Sequence, residues 1–295
     1  MLNSGPVHRP PSAAHRQGIE WKLEAAKGLL RSFQRVVVAF SGGVDSTLLA
    51  KLARDVLGKP NALAVTADSP SLAREDLEEA KRLAAELDVE HLVVATHEVD
   101  DPIYRANTAA RCYACKRELF QELEVLAATR GIGAVVYGAI GDDAASERPG
   151  ERAALQFGVR APLQEAGLMK GEVRDIARAL GLSNWNRPQN ACLSSRIRHG
   201  QGVTPEKLRQ IEEAEAFLRV RGFRQVRVRH LGTHARIEVG QDEVARFQDA
   251  HLCLETATQF ETLGFETVGI DRAGYRTGGA DLAADEVLLT AINRC

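Results

Sequence analysis

The stretch that decides the fold is Val36-Val37-Val38-Ala39-Phe40-Ser41-Gly42-Gly43-Val44-Asp45-Ser46. Its first five residues form a continuous apolar run, which is typical of a strand buried in a parallel sheet. The glycine-containing loop at 41–46 leads directly into a segment whose apolar residues recur at helical spacing. A strand, a loop and a helix in this order predict the first unit of an α/β fold.

The same alternation continues along the chain. Short apolar runs lie at 62–67, 92–95 and 134–138, and amphipathic helical patterns lie at 19–33, 72–87 and 117–129. This order predicts a doubly wound parallel sheet with helices on both faces, right-handed crossovers and ligands at the carboxyl ends of the strands.

Near Gly200 the pattern changes to that of a smaller α+β domain. Thr204 and Pro205 have the residue types of an N-cap and a first helical position, and they predict a helix that runs to about Arg221. Two strands at 225–230 and 235–239, a helix near 242–254 and a strand at 267–270 follow. We therefore expect a disordered tail at 1–17, a nucleotide-binding domain at 18–200 and a small domain at 201–295, with a peripheral helix at 280–295.

The composition limits which classes of partner the protein is expected to bind. The chain has 38 basic and 40 acidic side chains and a formal charge of -2, so no overall field would attract nucleic acid or an anionic membrane. No apolar run approaches the roughly 18 residues of a membrane helix, and residues 1–17 lack the apolar core of a signal peptide. We expect a cytoplasmic protein. Its five cysteines are then expected to be thiols, ligands or catalytic groups, not disulfides.

The loop at 41–46 has the chemistry of an anion site. Gly42 and Gly43 allow the backbone to approach phosphate oxygens, Ser41 and Ser46 add hydroxyl donors, and the following helix contributes unpaired N–H groups. The loop lacks the Gly-Lys-Ser/Thr ending of a Walker loop and the spacing of a dinucleotide fingerprint. A simple turn between a strand and a helix is the alternative.

The string Ser-Gly-Gly-x-Asp-Ser at 41–46 resembles the PP-loop of ATP pyrophosphatases, which have a HUP-like α/β fold. The resemblance implies that the loop binds the pyrophosphate of ATP, that Mg²⁺ offsets its charge, and that AMP is left on the substrate. Asp45 would help to place the metal or the loop. Asp68 lies where such folds contact adenosine, although an Asp that simply opens a surface loop fits equally well.

Three cysteines form the second candidate site. Cys112 and Cys115 lie on one turn between Arg111 and Lys116, two cations that should favour the thiolate. Cys192 would complete a cluster if it folds over the same pocket. A C-x-x-C pair alone fits a redox dithiol, half of a zinc site or two cluster ligands.

Two kinds of sulfur chemistry fit three such thiols. Without an obvious fourth ligand they suit a [4Fe–4S] cluster whose open iron carries a sulfide. Alternatively, the Cys192 thiolate attacks an adenylated carboxyl, forms a thioester and loses its own sulfur to the product, ending as dehydroalanine. Cys253 and Cys295 have no metal-ligand spacing, and we expect a buried small apolar residue and a tail thiol.

Over roughly 19–281 the sequence resembles the LarE family, the PP-loop sulfurtransferases that make the nickel-pincer nucleotide cofactor of lactate racemase. The resembling motifs lie at 41–46, 111–116, 141–143, 148–150, 162–168, 185–188, 191–196, 226–230 and 274–276. One departure is Gly138-Ala139-Ile140-Gly141, where a more polar sequence is expected. Asp142 and Asp143 remain as possible Mg²⁺ ligands or as caps of the following loop.

The resemblance implies that ATP activates the carboxylates of pyridinium-3,5-biscarboxylic acid mononucleotide and that each becomes a thiocarboxylate. A three-cysteine member resembles the iron–sulfur enzymes of the family, and a homo-oligomer is expected. Arg196, Glu215, Arg227 and Arg229 match family positions associated with substrate phosphate binding or activity. Arg227 and Arg229 alternate on one strand and so share a face, where forked donors suit a phosphate; a solvated strand edge is the alternative.

Other functions fit less of the sequence. A PP-loop tRNA thiolase would use similar cysteines, but neither net charge nor an aromatic and basic stripe provides a surface for folded RNA. An ammonia-using amidase such as an NAD or GMP synthetase leaves the three cysteines without a role. A module that only senses AMP or ATP would not need the complete loop motif.

Overall fold

The computed structural model describes residues 13–144, 149–188, 190–276, 281 and 286–289. The chain divides into two compact units. The first comprises Met1–Ala67, Leu77–Val94 and Phe120–Gln189, and the second comprises Asp68–Asp76, Ala95–Leu119 and Asn190–Cys295. The sequence suggested a single cut near residue 200, whereas the second unit also includes two earlier segments.

Over the first two hundred residues, each of four strands is followed by one or more helices. In chain order they are α1 (Ala13–Phe33), β1 (Val36–Ala39), α2 (Val44–Leu57), β2 (Ala62–Asp68), α3 (Arg74–Glu86), β3 (Glu90–Ala95), α4 (Pro102–Arg105), α5 (Arg111–Thr129), β4 (Ala134–Tyr137), α6 (Gly141–Ala144), α7 (Pro149–Gln156), α8 (Pro162–Glu165) and α9 (Lys170–Ala179). Short 3₁₀ turns occupy Lys59–Asn61, Glu98–Asp100 and Leu193–Arg196.

These four strands form one sheet in the order β3-β2-β1-β4. β1 pairs in parallel with β2 on one side and with β4 on the other, so that Val36 lies beside Ala62 and Ala134. All four residues of β1 are buried, and Leu48 and Leu49 of α2 pack into the same core. The predicted parallel α/β fold is confirmed, and it places the loop at 41–46 at the carboxyl end of a central strand.

The later elements are α10 (Pro205–Val220), β5 (Val226–Leu231), β6 (His234–Val239), α11 (Ala250–Thr262), β7 (Thr267–Asp271) and β8 (Glu286–Leu288). The four strands among them form a second sheet. Its strand order is β5-β6-β7-β8, with an antiparallel, a parallel and an antiparallel pairing. Thr204 is the predicted N-cap of α10, because its hydroxyl accepts from the Lys207 N–H at 3.2 Å. The predicted small α+β unit is therefore present.

The structure corrects three predicted elements. The tail expected at 1–17 is wrong for its last residues, because α1 already begins at Ala13, in a run of good helix formers; residues 1–12 lie outside the described part. The helix expected near 242–254 is divided into a 3₁₀ turn at Val244–Gln248 and α11, since the Asp249 carboxylate caps α11 by accepting from His251 N at 2.9 Å.

The third correction concerns the helix expected at 280–295. Residues Glu286–Leu288 form a strand that pairs with β7, with Val287 opposite Ile270. Periodicity alone does not separate a strand from a helix in so short an apolar run. The other residues of that stretch, apart from Asp281 and Leu289, lie outside the described part. Among the helices that the structure describes, none combines the length and apolarity needed to span a membrane.

Candidate active site

The loop at 41–46 is held in shape by its own two serines. The Ser46 hydroxyl accepts from the Ser41 N–H at 3.2 Å and donates to the Gly43 carbonyl at 3.0 Å, and the Gly43 N–H donates to the Ser41 hydroxyl at 3.3 Å. Gly43 is the N-cap of α2 and has no side chain with which to cap it. The first N–H groups of α2 are therefore suited to binding an anion.

Glycine is required at two positions around this loop. Gly42 has φ +70°, and a Cβ there would lie 3.2 Å from the Ala80 Cα. A Cβ on Gly138, directly after β4, would lie 2.8 Å from the Ser46 backbone nitrogen, closer than real Cβ contacts. Gly138 is thus the residue that lets the chain after β4 pass against the start of α2.

Asn184 also holds the loop, and the sequence analysis did not single it out. Its side chain is 3% exposed, and its amide donates to the Gly42 carbonyl and the Thr47 hydroxyl, both at 3.0 Å. The sequence signal is weak, because both Ser183 and Asn184 are polar residues between Leu182 and Trp185, which pack against the core. Asn184 fixes the carbonyl of the very residue that has a positive φ.

The loop carboxylate Asp45 binds a lysine that was also missed. The Lys170 ammonium lies 2.8 Å from each carboxylate oxygen of Asp45. Burial raises the pKa of Asp45, and the hydrogen bond and charge of Lys170 oppose that shift. Both oxygens of Asp45 are therefore already occupied by a cation.

Asp142 and Asp143 act as caps in this structure. The Asp142 carboxylate accepts from the Lys170 N–H at 2.6 Å, and the Asp143 carboxylate accepts from the Ile140 N–H at 3.1 Å. Carboxylate oxygens of this kind are the donors that Mg²⁺ prefers. No three His, Cys, Asp or Glu side chains among the described residues are arranged to hold a metal ion. A Mg²⁺ ion on Asp45 would share the carboxylate with the Lys170 ammonium.

Asp68 is the last residue of β2. Its carboxylate accepts from Arg74 at 2.6 Å, and its carbonyl accepts from the Thr96 N–H at 3.0 Å. The side chain is thus paired with a cation on α3, and an adenosine contact stays a prediction.

The three candidate cysteines all belong to the second unit. Cys112 and Cys115 lie in the first turns of α5, and Cys192 directly precedes the 3₁₀ turn Leu193–Arg196. Cys112 and Cys192 are exposed, whereas Cys115 packs against a small apolar cluster. Cys253 is buried, as expected, and its thiol donates to the Phe247 carbonyl at 2.9 Å. Cys295 lies outside the described residues.

The expectation that flanking cations favour the thiolate is wrong for Cys115. Burial raises its pKa to about 12, the Glu98 carboxylate and the Cys192 thiol add to that shift, and the opposing charge of Lys116 is too small to reverse it. Arg111 is engaged elsewhere, since its guanidinium donates to Asn107 Oδ1 at 2.5 Å and to the Ser194 carbonyl at 2.8 Å. Cys115 is therefore a protonated thiol at neutral pH.

Arg196 holds the loop that contains Cys192. Its guanidinium donates to the Cys192 carbonyl at 2.9 Å and also binds the Ala191 carbonyl. The Leu193 N–H is held by the Ser71 carbonyl at 2.9 Å. These backbone contacts fix the chain on both sides of the thiol while the thiol itself stays exposed.

Glu215 in turn holds Arg196. The Glu215 carboxylate is fully buried and accepts from Arg196 Nε at 2.9 Å, from Arg219 at 2.7 Å and from the Val228 N–H at 3.1 Å. Burial disfavours its charge, but Arg196 and Arg219 outweigh this and hold the pKa of Glu215 below its usual value. Because Arg196 is also fully buried, a direct contact of this pair with substrate would require the pair to open.

Arg227 and Arg229 do not lie at a solvated strand edge. Arg229 is 4% exposed, lies 2.7 Å from the Glu238 carboxylate and donates to the Ser195 carbonyl at 3.3 Å. The Arg227 guanidinium is half-buried and lies 5.4 Å from the centre of the Tyr275 ring; burial and the charge of Arg196 lower its pKa. β5 therefore brings one arginine into contact with the Cys192 loop.

Known proteins are similar to this chain in sequence. A family model described as NAD synthase matches residues 27–137, which contain the loop at 41–46. Pyridinium-3,5-bisthiocarboxylic acid mononucleotide synthase of Lactiplantibacillus plantarum is 38% identical over 249 residues, which are 84% of this chain and 90% of that enzyme. The chain belongs to the LarE family. Members of the LarE family are ATP-using sulfurtransferases, and this chain is an enzyme of that class.

Other relatives define how far the similarity extends. The uncharacterised protein slr1717 of Synechocystis is 44% identical over 261 residues, which are 88% of this LarE chain and 97% of that protein. The glutamine-dependent NAD(+) synthetase of Aquifex aeolicus is 42% identical over only 74 residues, 25% of this chain and 12% of the synthetase. The likeness to the NAD(+) synthetase is thus partial, whereas the likeness to the mononucleotide synthase and to slr1717 covers most of both chains.

Proposed function

We propose that this LarE chain uses ATP to activate the carboxylates of pyridinium-3,5-biscarboxylic acid mononucleotide and converts them to thiocarboxylates. The observation that supports this most strongly is the similarity over most of its length to a synthase named for the bisthiocarboxylic acid mononucleotide. The exposed Cys192 thiol, on a loop held by Arg196 and beside Arg229, gives that similarity a chemical basis in this chain.

The first half of the reaction is the formation of an acyl adenylate. A carboxylate oxygen of the substrate attacks the α-phosphorus of ATP, the bond between the α-phosphorus and the bridging oxygen breaks, and pyrophosphate leaves. Ser41, Gly42, Gly43, Ser46 and the first N–H groups of α2 bind the pyrophosphate portion. Mg²⁺ would be held by Asp45 and offset the phosphate charge.

The second half is sulfur transfer from Cys192. Its thiolate attacks the acyl carbon, AMP leaves, and a thioester to the chain forms. Removal of the Cα proton of Cys192 and cleavage of its Cβ–S bond then release the thiocarboxylate and leave dehydroalanine. No oxidant or reductant is consumed. We propose that Arg227 and Arg229 bind the substrate phosphate, because guanidinium groups match phosphate geometry. Arg229 is 4% exposed and paired with Glu238, so this contact would require that pair to open.

A [4Fe–4S] cluster on Cys112, Cys115 and Cys192 is the second candidate for the sulfur source. A cluster would displace the protons of its ligand thiols, and the proton of Cys115, whose pKa burial raises, would be among those released. In the arrangement described, the three thiols do not form a set that could hold a metal ion. We favour Cys192 itself as the donor because its thiol is exposed on a loop that Arg196 holds. We propose that it acts in a cytoplasmic homo-oligomer on a small-molecule nucleotide.

Two measurements separate these candidates. Anaerobically purified chain is examined for the broad visible absorbance of an iron–sulfur cluster, in the parent and in Cys112→Ala, Cys115→Ala and Cys192→Ala. Absorbance that each substitution abolishes supports the cluster; colourless parent chain that still makes one equivalent of product supports Cys192.

The test of the whole proposal is formation of AMP and pyrophosphate from MgATP with and without the mononucleotide. We expect release that depends on the mononucleotide in both the parent and Cys192→Ser, and thiocarboxylate only in the parent. Ser46→Ala should slow pyrophosphate release. Thiocarboxylate formation by Cys192→Ser, or no dependence of pyrophosphate release on the mononucleotide, would overturn the proposal.

A further inference from the structure

A buried carboxylate lies close to the cysteines of the second unit. Glu98 is 1% exposed, and its charge acts on the Cys115 thiol. Its Oε1 accepts from the Ser71 hydroxyl at 2.7 Å, and its Oε2 accepts from the Thr96 hydroxyl at 3.0 Å. Within the described residues both oxygens are thus bound by neutral hydroxyls. Because a glutamate is seldom buried without a cationic partner, stability alone does not explain a carboxylate here.

A chain of hydroxyl groups connects this carboxylate with the Cys192 loop. The Ser71 hydroxyl bonds to Glu98 and also to the Tyr104 phenol. The Tyr104 hydroxyl in turn lies 2.5 Å from the Ser194 hydroxyl. All of these residues belong to the second unit, and the three hydroxyl residues are buried. The chain therefore runs through the interior from Glu98 to a residue two positions after Cys192.

The hydrogen bonds of this chain all point toward Glu98. An ionised carboxylate only accepts, so Ser71 donates its one hydroxyl proton to Glu98. Toward Tyr104 the Ser71 oxygen can then only accept, so Tyr104 donates to Ser71. Ser194 donates to the Tyr104 oxygen for the same reason. In this alignment a proton that arrives at Tyr104 can be passed on to the carboxylate.

The Tyr104 phenol lies within reach of the charge on Cys192. Burial raises the pKa of Tyr104, and a charge on Cys192 adds to that rise. The residue after Cys192 is held as well, because the Leu193 N–H donates to the Ser71 carbonyl at 2.9 Å. The loop that contains the thiol is therefore tied to both Ser71 and Tyr104.

We propose that Glu98 is the base of the sulfur-transfer half-reaction and receives the thiol proton of Cys192 through Tyr104 and Ser71. As the sulfur attacks the acyl carbon, its S–H bond breaks and the proton goes to the Tyr104 oxygen. The Tyr104 proton moves to Ser71, and the Ser71 proton moves to Glu98. AMP leaves with the electron pair of its bond to the acyl carbon. Glu98 ends as a neutral acid, the form that burial favours. The proposal rests on the proposed function, in which Cys192 is the nucleophile.

The rival explanation is that the hydroxyl chain only holds the Cys192 loop in shape. The two explanations differ in what Glu98→Gln does to the thiol. Alkylation by iodoacetamide depends on the fraction of thiolate, which the removal of a nearby negative charge does not lower. Sulfur transfer, in contrast, loses its base. Proton transfer to Glu98 therefore predicts slower sulfur transfer with unchanged or faster alkylation of Cys192, whereas a displaced loop would slow both.

The Glu98 carboxylate provides a matched pair of substitutions. Ser71→Ala and Thr96→Val each remove one hydroxyl donor from it, at 2.7 and 3.0 Å, and both residues are buried. Only Ser71 belongs to the chain that leads to Tyr104. Thr96→Val should therefore leave sulfur transfer unchanged, while Ser71→Ala should slow it.

The experiment is a single turnover of the full chain with MgATP and pyridinium-3,5-biscarboxylic acid mononucleotide, in which pyrophosphate and thiocarboxylate are both followed. For Glu98→Gln we expect thiocarboxylate formation to slow about 10²- to 10⁴-fold, the range for loss of general base catalysis. Pyrophosphate should form at the parent rate, because adenylation precedes the thiol step. Ser71→Ala and Tyr104→Phe should show the same pattern.

Alkylation of the same variants shows whether the second unit is intact. Cys192 should react with iodoacetamide at least as fast in Glu98→Gln as in the parent. The buried Cys253 should stay unmodified in both, which shows that the variant is folded.

Three results would overturn the role of Glu98. These are parent-rate thiocarboxylate formation by Glu98→Gln, Ser71→Ala or Tyr104→Phe, an equal slowing of Cys192 alkylation, and an equal effect of Thr96→Val. Each can occur while the parent chain makes pyrophosphate and thiocarboxylate, so the proposed function would stand. Parent chain whose product contains no sulfur from Cys192 would defeat both proposals.

Discussion

Glu215→Gln should destabilise the second unit strongly, because it removes the charge from a fully buried carboxylate while keeping its shape. In the parent, Glu215 accepts from Arg196 at 2.9 Å, from Arg219 at 2.7 Å and from the Val228 N–H at 3.1 Å. Arg196 is fully buried and would be left without its counter-charge. Removing one partner of a buried pair costs about 3–5 kcal/mol, and we expect about 4 kcal/mol here.

Glu75→Gln is the matched control. Glu75 pairs with the same Arg219, at 3.2 Å, but its side chain is 64% exposed. An exposed pair contributes about 0–1 kcal/mol, so this variant should behave almost like the parent. The two carboxylates share Arg219, so a larger effect of Glu215→Gln reports on the buried contacts that Glu215 alone makes.

The assay must report on the second unit. Both tryptophans, Trp21 and Trp185, belong to the first unit, so their fluorescence would not follow α10 or β5. Hydrogen–deuterium exchange of peptides from α10 and β5, read by mass spectrometry, gives the local free energy of opening. Equal exchange in Glu215→Gln and Glu75→Gln would refute the view that the buried pair holds this region together.

The stabilising effect of Glu215 should change with pH in a defined direction. The pKa of Glu215 is lowered from its ordinary value of 4.5 by its arginine partners. Its stabilising effect is therefore fully present above pH 4.5 and is lost as the pH falls through the lowered pKa. The difference between parent and Glu215→Gln should shrink over that acidic range and stay constant above it.

Three further predictions concern single residues. Asn184→Ala should lower the free energy of unfolding by about 1–3 kcal/mol and weaken MgATP binding, because the Gly42 carbonyl and the Thr47 hydroxyl lose their donor. The control is Asn186→Ala, at an exposed position. Equal effects of the two substitutions would contradict the role of Asn184 in holding the loop. Iodoacetamide at pH 8, with peptide mapping, should modify Cys112 and Cys192 before Cys115, whose pKa is about 12; earlier modification of Cys115 would show that it is not held protonated. Burial lowers the pKa of His230 from 6.5 to about 4, so the parent should lose up to about 3 kcal/mol of stability as the pH falls between these values. His230→Gln should lose less. An equal loss of stability in parent and variant, measured by urea denaturation over this pH range, would refute the prediction.

The parts of the fold that the sequence predicts depend on local patterns. The apolar run that became β1 and the glycine loop after it are adjacent in the chain, so their strand, loop and helix were predictable. The same holds for Thr204 and Pro205 at the start of α10. The family was predicted because motifs spread over residues 19–281 resemble those of LarE proteins.

The features that were missed depend on contacts between distant segments. Lys170 lies 125 residues after Asp45, and Asn184 lies 142 residues after Gly42, so no spacing rule connects them. Cys115 illustrates a different limit. Its neighbours in sequence are cations that favour a thiolate, but burial and the Glu98 carboxylate, which only folding brings near, decide the sign.

The most direct test of the central claim is the mass of residue 192 after one reaction cycle. Parent chain is incubated with MgATP and pyridinium-3,5-biscarboxylic acid mononucleotide, and the product and the peptide that contains residue 192 are both weighed. We predict a product in which sulfur replaces oxygen and a peptide that has lost the elements of hydrogen sulfide from Cys192. Sulfur-containing product together with an intact Cys192 would contradict the claim that this cysteine is the donor.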